Sequence, residues 1–365
     1  MKIPFIEKEH FFNHKEEEIS EELYKVIDSN NFILGENVTK FEKEYAEYCS
    51  SKYCVGVGNG SDALILSLIA LDIKKGDNVI CVANAGFYSS AAILSVGAIP
   101  NYVDVDWKSM NMDANLIEKS IDENTKAIIV THLYGLMADV ISILEISKKF
   151  NIPIIEDCAQ AHGAEMNNKK AGTWGLMGTF SFYPTKNLGG FGDSGAIITS
   201  SEKIYKKIQA LRQYGWTRKY FIGKYLGKNS RMDEIQAAIL RVKLSHLNEL
   251  NEKRRNMAIL FKNNLDSAKF TLPYFENKEY VAHLFVVRSK NREKVQEKLK
   301  LLNISCEIHY PILDNEQEYF NNKSEFYIKN NLDISYECCN QVLSIPCHPF
   351  LNSKEVDEIL DALKT

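Results

Sequence analysis

Lys186 carries the strongest chemical signal in this chain. It lies between a short apolar run, Thr179-Phe180-Ser181-Phe182-Tyr183, and a turn containing Gly189, Gly190, Gly192 and Gly195. A lysine packed among aromatic rings and backbone loses water, which lowers its pKa and frees the amine as a nucleophile. Glycines let the backbone turn and come close to a ligand. A surface hairpin with a solvated lysine would also suit this stretch, so its meaning depends on what the fold brings to it.

Three other stretches offer partners. In Gly58-Asn59-Gly60-Ser61-Asp62, a strand runs into a helix. Free N–H groups there suit a phosphate, although Ser61 or Asp62 could equally serve as a helix cap. In Pro153-Ile154-Ile155-Glu156-Asp157, an apolar strand ends in a carboxylate. A buried Asp157 needs a cation or hydrogen-bond donors, either backbone amides or the protonated ring nitrogen of a cofactor. His162, a few residues on, reads as a packing histidine. The last stretch, Gly227 to Asp233, is a polar turn that opens a helix, with Asn229 or Ser230 as its cap.

These stretches need elements to position them, and the sequence supplies an alternating rhythm. Helical spacing covers 16–28 and 38–49. Strands are expected at 54–58, 79–82, 99–103, 127–131 and 153–156, with helices at 63–71, 88–96, 115–120 and 140–150 between them. Such alternation predicts a mostly parallel sheet covered by helices on both faces. Ligands of such sheets bind at the carboxyl ends of the strands, where these motifs fall. Further helices are expected over 202–214 and, as one long element, 232–264. A smaller α+β lobe should follow, with strands at 282–288 and 305–308 and helices at 292–302, 334–341 and 353–363. The expected division is residues 1–248 and 249–365.

The totals exclude several classes. The 365 residues are 45% hydrophobic and 25% charged, enough for a packed core. A net charge of −4 without a long basic run gives no electrostatic support for nucleic-acid binding. No apolar run approaches the roughly 20 residues of a membrane span, and the polar start lacks a signal-peptide core. The eight cysteines are scattered without a CxxC pair, which fits buried thiols in a cytoplasmic protein. Cys338 and Cys339 read as helix packing, and no metal site is expected.

A phosphate cradle, an aspartate for a ring nitrogen and a Schiff-base lysine are together what pyridoxal 5'-phosphate asks of a protein. At this point the sequence resembles the DegT/DnrJ/EryC1/StrS family of nucleotide-sugar aminotransferases over nearly its whole length. The resemblance rests on GNGSDAL (58–64), EDCAQAHGA (156–164), FSFYPTKNLGGFGDSGA (180–196), GKNSRMDEIQAA (227–238) and EIHYP (307–311). It implies the aspartate-aminotransferase fold (fold type I) and a homodimer with shared sites. Lys186 would bond the cofactor, Asp157 would pair with its ring nitrogen and Gln160 with its ring hydroxyl. Gly60, Ser61 and Ser181 would hold the phosphate, with Asn229 reaching it from the neighbouring subunit. Tyr183, His309 and Tyr310 would line the sugar pocket.

Two departures stand out. Gly86 occupies the position of an aromatic residue that stacks on the cofactor in relatives, which leaves Tyr88 or Phe87 as the replacement, Tyr88 being the expectation. The segment after Pro311 lacks the second proline and the histidine or lysine that relatives often carry. The form YPTKNLGxxGDxGA resembles the subgroup aminating C-3. It implies transfer from L-glutamate to a dTDP-linked 3-keto-6-deoxyhexose, for surface glycans or glycosylated metabolites. The alternatives are a 4-keto or UDP-linked substrate, or a non-catalytic cofactor-binding homologue. Sugar dehydratases of the same fold carry histidine in place of the lysine, so Lys186 counts against that class.

Overall fold

The computed structural model describes residues 2–6, 9–321, 327–328 and 331–364. Helices α1 (Glu9–Ser29) and α2 (Glu36–Cys49) lead into an alternating series. It runs β1 (Tyr53–Val57), α3 (Gly60–Ala70), β2 (Asn78–Val82), α4 (Tyr88–Ser95), β3 (Ile99–Val103), α5 (Ala114–Ser120), β4 (Thr125–Thr131), α6 (Val140–Phe150) and β5 (Ile154–Asp157). A ribbon of β6 (Glu165–Met166) and β7 (Lys169–Lys170) precedes β8 (Met177–Ser181) and β9 (Gly195–Thr199). After α7 (Glu202–Leu211) come a second ribbon, β10 (Trp216–Arg218) with β11 (Phe221–Ile222), and then α8 (Glu234–Leu244) and α9 (Leu247–Asn264). The chain closes with β12 (Phe285–Arg288), α10 (Arg292–Leu301), β13 (Tyr327–Ile328), α11 (Asp333–Gln341), β14 (Val342–Ile345) and α12 (Ser353–Lys364).

Eight strands form the central sheet in the order β1-β9-β8-β5-β4-β2-β3-β13. From β8 to β13 all neighbours are parallel, whereas β9 runs antiparallel to both β1 and β8. The strands read as continuous apolar runs because both faces are covered. Val79, Cys81, Ile129 and Ile155 pack with α3 and α7 on one face. Ile80, Ile128, Val130 and Ile154 pack with α5 and α6 on the other. Phe180 and Ile198 meet α2 and α8 in a third apolar cluster. A fourth joins Phe261, Phe285, Val287, Leu343 and Ile359 and takes in Ile3 from the other end of the chain.

Several expectations need correction. The helix expected over 232–264 is two helices, because the Ser245 hydroxyl donates to the Val242 carbonyl at 2.7 Å and the chain turns at Ser245-His246. Residues 305–308 are not a strand: Glu307 makes one antiparallel bridge to Ser344, and the chain then turns away. Strands β9 and β14 are additions, their runs having been hidden by an adjoining turn and helix. Neither Asn229 nor Ser230 caps α8. Ser230 Oγ instead accepts the Gly58 N–H at 3.0 Å, and Asp233 holds the cap position without a side-chain bond.

Candidate active site

The carboxyl ends of β1, β4, β5 and β8 open onto one cavity of about 950 Å³. Because β9 runs antiparallel, its Gly195 start lies beside Val57 and Ser181. The glycine turn after Lys186 is therefore held at the same edge. Lys186, Asp157, Gln160, Ser181, Gly60, Ser61, Tyr88, Tyr183, His309 and Tyr310 all line the cavity. Of the residues expected from sequence, Asn229 alone lies elsewhere. It is exposed, and its backbone bridges Gln213.

The Lys186 amide donates to the Tyr183 carbonyl at 2.8 Å, closing a turn that carries the side chain into the cavity. Burial lowers the Lys186 pKa to about 8, against the opposing pull of the Asp157 charge. Asp157 is the last residue of β5. Its Oδ1 accepts the Ala159 N–H at 3.1 Å. Burial pushes its pKa up, while the Ala159 amide, Lys186 and His132 hold it down.

The neighbouring Glu156 faces the interior and is fully buried. It accepts N–H groups of Gly172 at 2.8 Å, Trp174 at 2.7 Å and Gly175 at 2.6 Å, and lies 2.9 Å from His132 Nε2. The Ala138 N–H donates to His132 Nδ1 at 3.1 Å, so Nε2 carries the proton that Glu156 receives. His132, Glu156 and Cys158 have metal-like spacing, but these bonds already occupy the histidine and the carboxylate.

Gln160 joins two walls. Its Oε1 accepts the Tyr134 N–H at 2.6 Å, and its Nε2 donates to Tyr310 Oη at 3.0 Å. The Tyr134 hydroxyl donates to the His309 carbonyl. Gly86 has φ +80°, and a Cβ there would stand 2.8 Å from Tyr310 ring atoms. The Tyr310 ring thus packs over the bare Cα of Gly86. Tyr88 meets Tyr310 edge-on at 6.2 Å, whereas Phe87 turns away to Phe320 at 5.8 Å.

At the start of α3 the cap is Asn59, whose Oδ1 accepts the Asp62 N–H at 2.7 Å. Ser61 is therefore not spent on capping, and Asp62 pairs with Lys228. A Cβ on Gly60 would meet Ser181 Cβ at 2.6 Å, so only glycine lets these two strand ends close together. His162 is a packing residue. Its Nδ1 accepts from the Tyr45 hydroxyl at 2.9 Å and its Nε2 donates to the Ser181 carbonyl at 2.8 Å. Burial lowers its pKa to about 3.

These residues fit pyridoxal phosphate. Asp157 Oδ1 takes a single amide while the carboxylate stands in a dry wall beside an amine. The Thr131 hydroxyl lines the same cavity, buried and without a partner among the described residues. The glycine cradle closes on Ser181 only because no Cβ intervenes. Sequence reasoning missed Thr131, Tyr134, Glu156, His132 and His283, whose roles depend on contacts between distant positions. The adjacent Glu156-Asp157 pair was the one available hint, since two carboxylates ending a strand must face opposite ways.

Residues 13–364 match the model of the DegT/DnrJ/EryC1/StrS aminotransferase family. The chain is 41% identical over 362 residues to a dTDP-3-amino-3,6-dideoxy-alpha-D-galactopyranose transaminase of Aneurinibacillus thermoaerophilus, covering 99% of this chain and 98% of that one. It is 35% identical to a UDP-N-acetyl-3-dehydro-alpha-D-glucosamine 3-aminotransferase of Acidithiobacillus ferrooxidans, covering 99% and 97%. Its fold matches the crystal structure of S. venezuelae DesV in complex with a ketimine intermediate. The TM-score is 0.95 and the identity 34%, over 99% of this chain and 97% of that one.

Proposed function

Because this chain belongs to the DegT/DnrJ/EryC1/StrS aminotransferase family, a pyridoxal-phosphate-dependent family of sugar aminotransferases, we propose that it transfers the amino group of L-glutamate to C-3 of a dTDP-linked 3-keto-6-deoxyhexose. The product is a 3-amino-3,6-dideoxyhexose for surface glycans or glycosylated metabolites. The observation that carries the reading is the convergence of Lys186 and Asp157 in one cavity, with the lysine held at about 8. Similarity to a dTDP-sugar 3-transaminase supports the carrier and the position.

Bound pyridoxal phosphate supplies an electron sink for the carbon that loses its proton. Lys186 Nζ anchors the cofactor and, when released, takes and returns that proton, for which a pKa near working pH is suited. Asp157 holds the ring nitrogen in its protonated form, and Gln160 meets the ring hydroxyl. The N–H groups of Gly60 and Ser61 and the hydroxyls of Ser61 and Ser181 hold the phosphate. Tyr88 supplies the aromatic face, and Tyr183, His309 and Tyr310 take the sugar. Asn229 lies outside its own cavity and exposed, which suits a homodimer in which it completes the neighbouring site. The division into residues 1–248 and 249–365 and a cytoplasmic location belong to the same proposal. The apolar cluster around Phe285 and Ile359 supports the former, and among the described residues no helix is long and apolar enough to cross a membrane.

A UDP-linked 3-keto sugar is the second reading, favoured by the 35% identity to an enzyme named for one. The test supplies L-glutamate with dTDP- and UDP-linked 3-keto sugars in parallel and locates the new amine by NMR. The expected result is an amine at C-3 of the dTDP sugar, with 2-oxoglutarate formed in equal amount. Preference for the UDP sugar would select the second reading. An amine at C-4, or no amine with any sugar, would overturn both.

A further inference from the structure

Helix α4 begins with Tyr88 and has no side-chain cap of its own. Phe87, the residue before it, stands in the left-handed region at φ +71°. That is an outlier for a bulky side chain, and it persists only where surrounding bonds hold it. The bonds come from 227 positions further along the chain. Asp314 is fully buried. Its Oδ1 accepts the Phe87 N–H at 2.8 Å, and its Oδ2 accepts the Ser90 hydroxyl at 2.6 Å.

Tyr88 therefore lies between two anchored residues. The Asp314 N–H donates to the Ala83 carbonyl at 2.7 Å, just after β2, so both ends of the loop leading to α4 are held. Ser90 Oγ also meets the Tyr102 hydroxyl at 2.8 Å, which ties α4 to β3. The Phe87 ring packs on Phe320 at 5.8 Å, from the same segment as Asp314. A carboxylate at a helix start suits the helix dipole, and its burial is offset by these donors. The Tyr88 ring itself stays half exposed. It lines the cavity and meets Tyr310 edge-on at 6.2 Å. Its backbone is locked while its ring is open to a ligand.

We propose that Asp314 is a positioning residue: it fixes the backbone on either side of Tyr88 so that the ring stands ready to stack on bound pyridoxal phosphate. The inference rests on the reading of Tyr88 as the aromatic face of the cofactor site. Asp314 lies outside the cavity lining, so it acts through Tyr88 and not by contact with the cofactor.

The test titrates the cofactor-free protein with pyridoxal phosphate at about pH 8.5. Burial pushes the Asp314 pKa up to about 7, against the bonds from Ser90 and Phe87, so the carboxylate is ionised there. Asp314→Ala is expected to weaken binding about tenfold and to reduce the visible circular dichroism of the bound cofactor. Asp314→Asn should restore both. Its amide oxygen can accept the Phe87 N–H, and its amide nitrogen can donate to Ser90, whose own proton then turns to Tyr102. The decisive comparison repeats Asp314→Ala in a Tyr88→Ala background. There it should cost less than about twofold, because residues that act through one another are not additive. Ser90→Ala removes one of the two bonds and should cost about threefold, again only when Tyr88 is present. It carries the comparison if Asp314→Ala does not fold. Unchanged affinity in these variants, or an equal loss with and without Tyr88, would overturn the proposal and leave the transamination reading standing. Failure of the unsubstituted chain to bind pyridoxal phosphate would instead overturn that reading, and this proposal with it.

Discussion

Two carboxylates end the same strand and live in opposite conditions. Glu156 is sealed inside, with three backbone amides and His132 donating to it. Asp157 faces the cavity with one amide on Oδ1 and a lysine nearby. Strand alternation sends adjacent side chains to opposite faces, so one residue step separates a structural charge from a chemical one. On the Glu156 side every charge is answered within the chain, and the fold is the beneficiary. On the Asp157 side burial disfavours both the carboxylate and the lysine, and the shortfall is what a cofactor can use.

The largest effect that would break this contrast is on the cavity side. Asp157→Asn keeps shape but removes the charge proposed to keep the cofactor's ring nitrogen protonated. We expect kcat to fall about 10²- to 10³-fold, with the unfolding midpoint of the cofactor-free protein unchanged or raised. Steady-state kinetics and urea denaturation of one preparation check both halves. Loss of stability without loss of kcat would make Asp157 another Glu156. The converse substitution is Glu156→Gln. It leaves His132 without its anion and weakens three amide bonds at Gly172, Trp174 and Gly175. The expected cost is about 3 kcal/mol of stability, since four donors exchange a charged acceptor for a weaker neutral one. Below its melting range the variant should keep kcat within a few-fold.

This contrast also marks what could be read in advance. The central sheet was legible because Ile80, Ile129 and Ile155 belong to runs that are apolar on both faces, broken by helix-like spacing. Lys186, Asp157 and the Gly60-Ser61 turn were legible because each breaks a local pattern at a strand end. The helix break at Ser245 was not, since the apolar spacing continues into α9 and a single hydroxyl diverts the backbone. Strand β9 was hidden because its antiparallel course is set by pairing with β1 and β8. The bonds of Asn187 to Asn251 and to His283, and the bond from Tyr134 to His309, join residues with no pattern in common. Their roles come from contact alone.

Gly86 tests the cavity wall with a smaller effect. Alanine there is strained at φ +80° and brings a Cβ to 2.8 Å from Tyr310. Tyr310 must shift and loosen its bond to Gln160. A rise of about tenfold in KM for the sugar is expected, with kcat less affected, since Tyr310 is proposed to take the sugar. A fall in kcat with unchanged KM would move Tyr310 from the sugar to the reacting centre.

The last test turns on the sign of a stability change. Lys186 titrates at about 8 in the folded chain and near the ordinary 10.5 when unfolded. At pH 8 to 10.5 the unfolded state therefore binds more protons, and stability must rise with pH across that window. Below 8 the folded protein bears the full cost of the buried ammonium. Lys186→Met removes it, so the cofactor-free variant should be more stable than wild type at pH 7, and the gap should close as pH rises toward 10.5. Lys243, also lowered to about 8 by burial, adds a slope of the same sign in both proteins. Buried thiols such as Cys49, pushed up to about 12, add an opposite slope above 9. Both cancel in the difference between variant and wild type, which is the quantity to measure by urea denaturation. The lysine is only partly shielded from water, so the gap should be the smallest of these effects. Its sign is what matters, because Glu156→Gln must destabilise and Lys186→Met must stabilise if the two sides of β5 differ as the hydrogen bonds indicate. A variant less stable than wild type at pH 7 would place Lys186 among the answered charges of the interior, and the distinction between the two sides would fail.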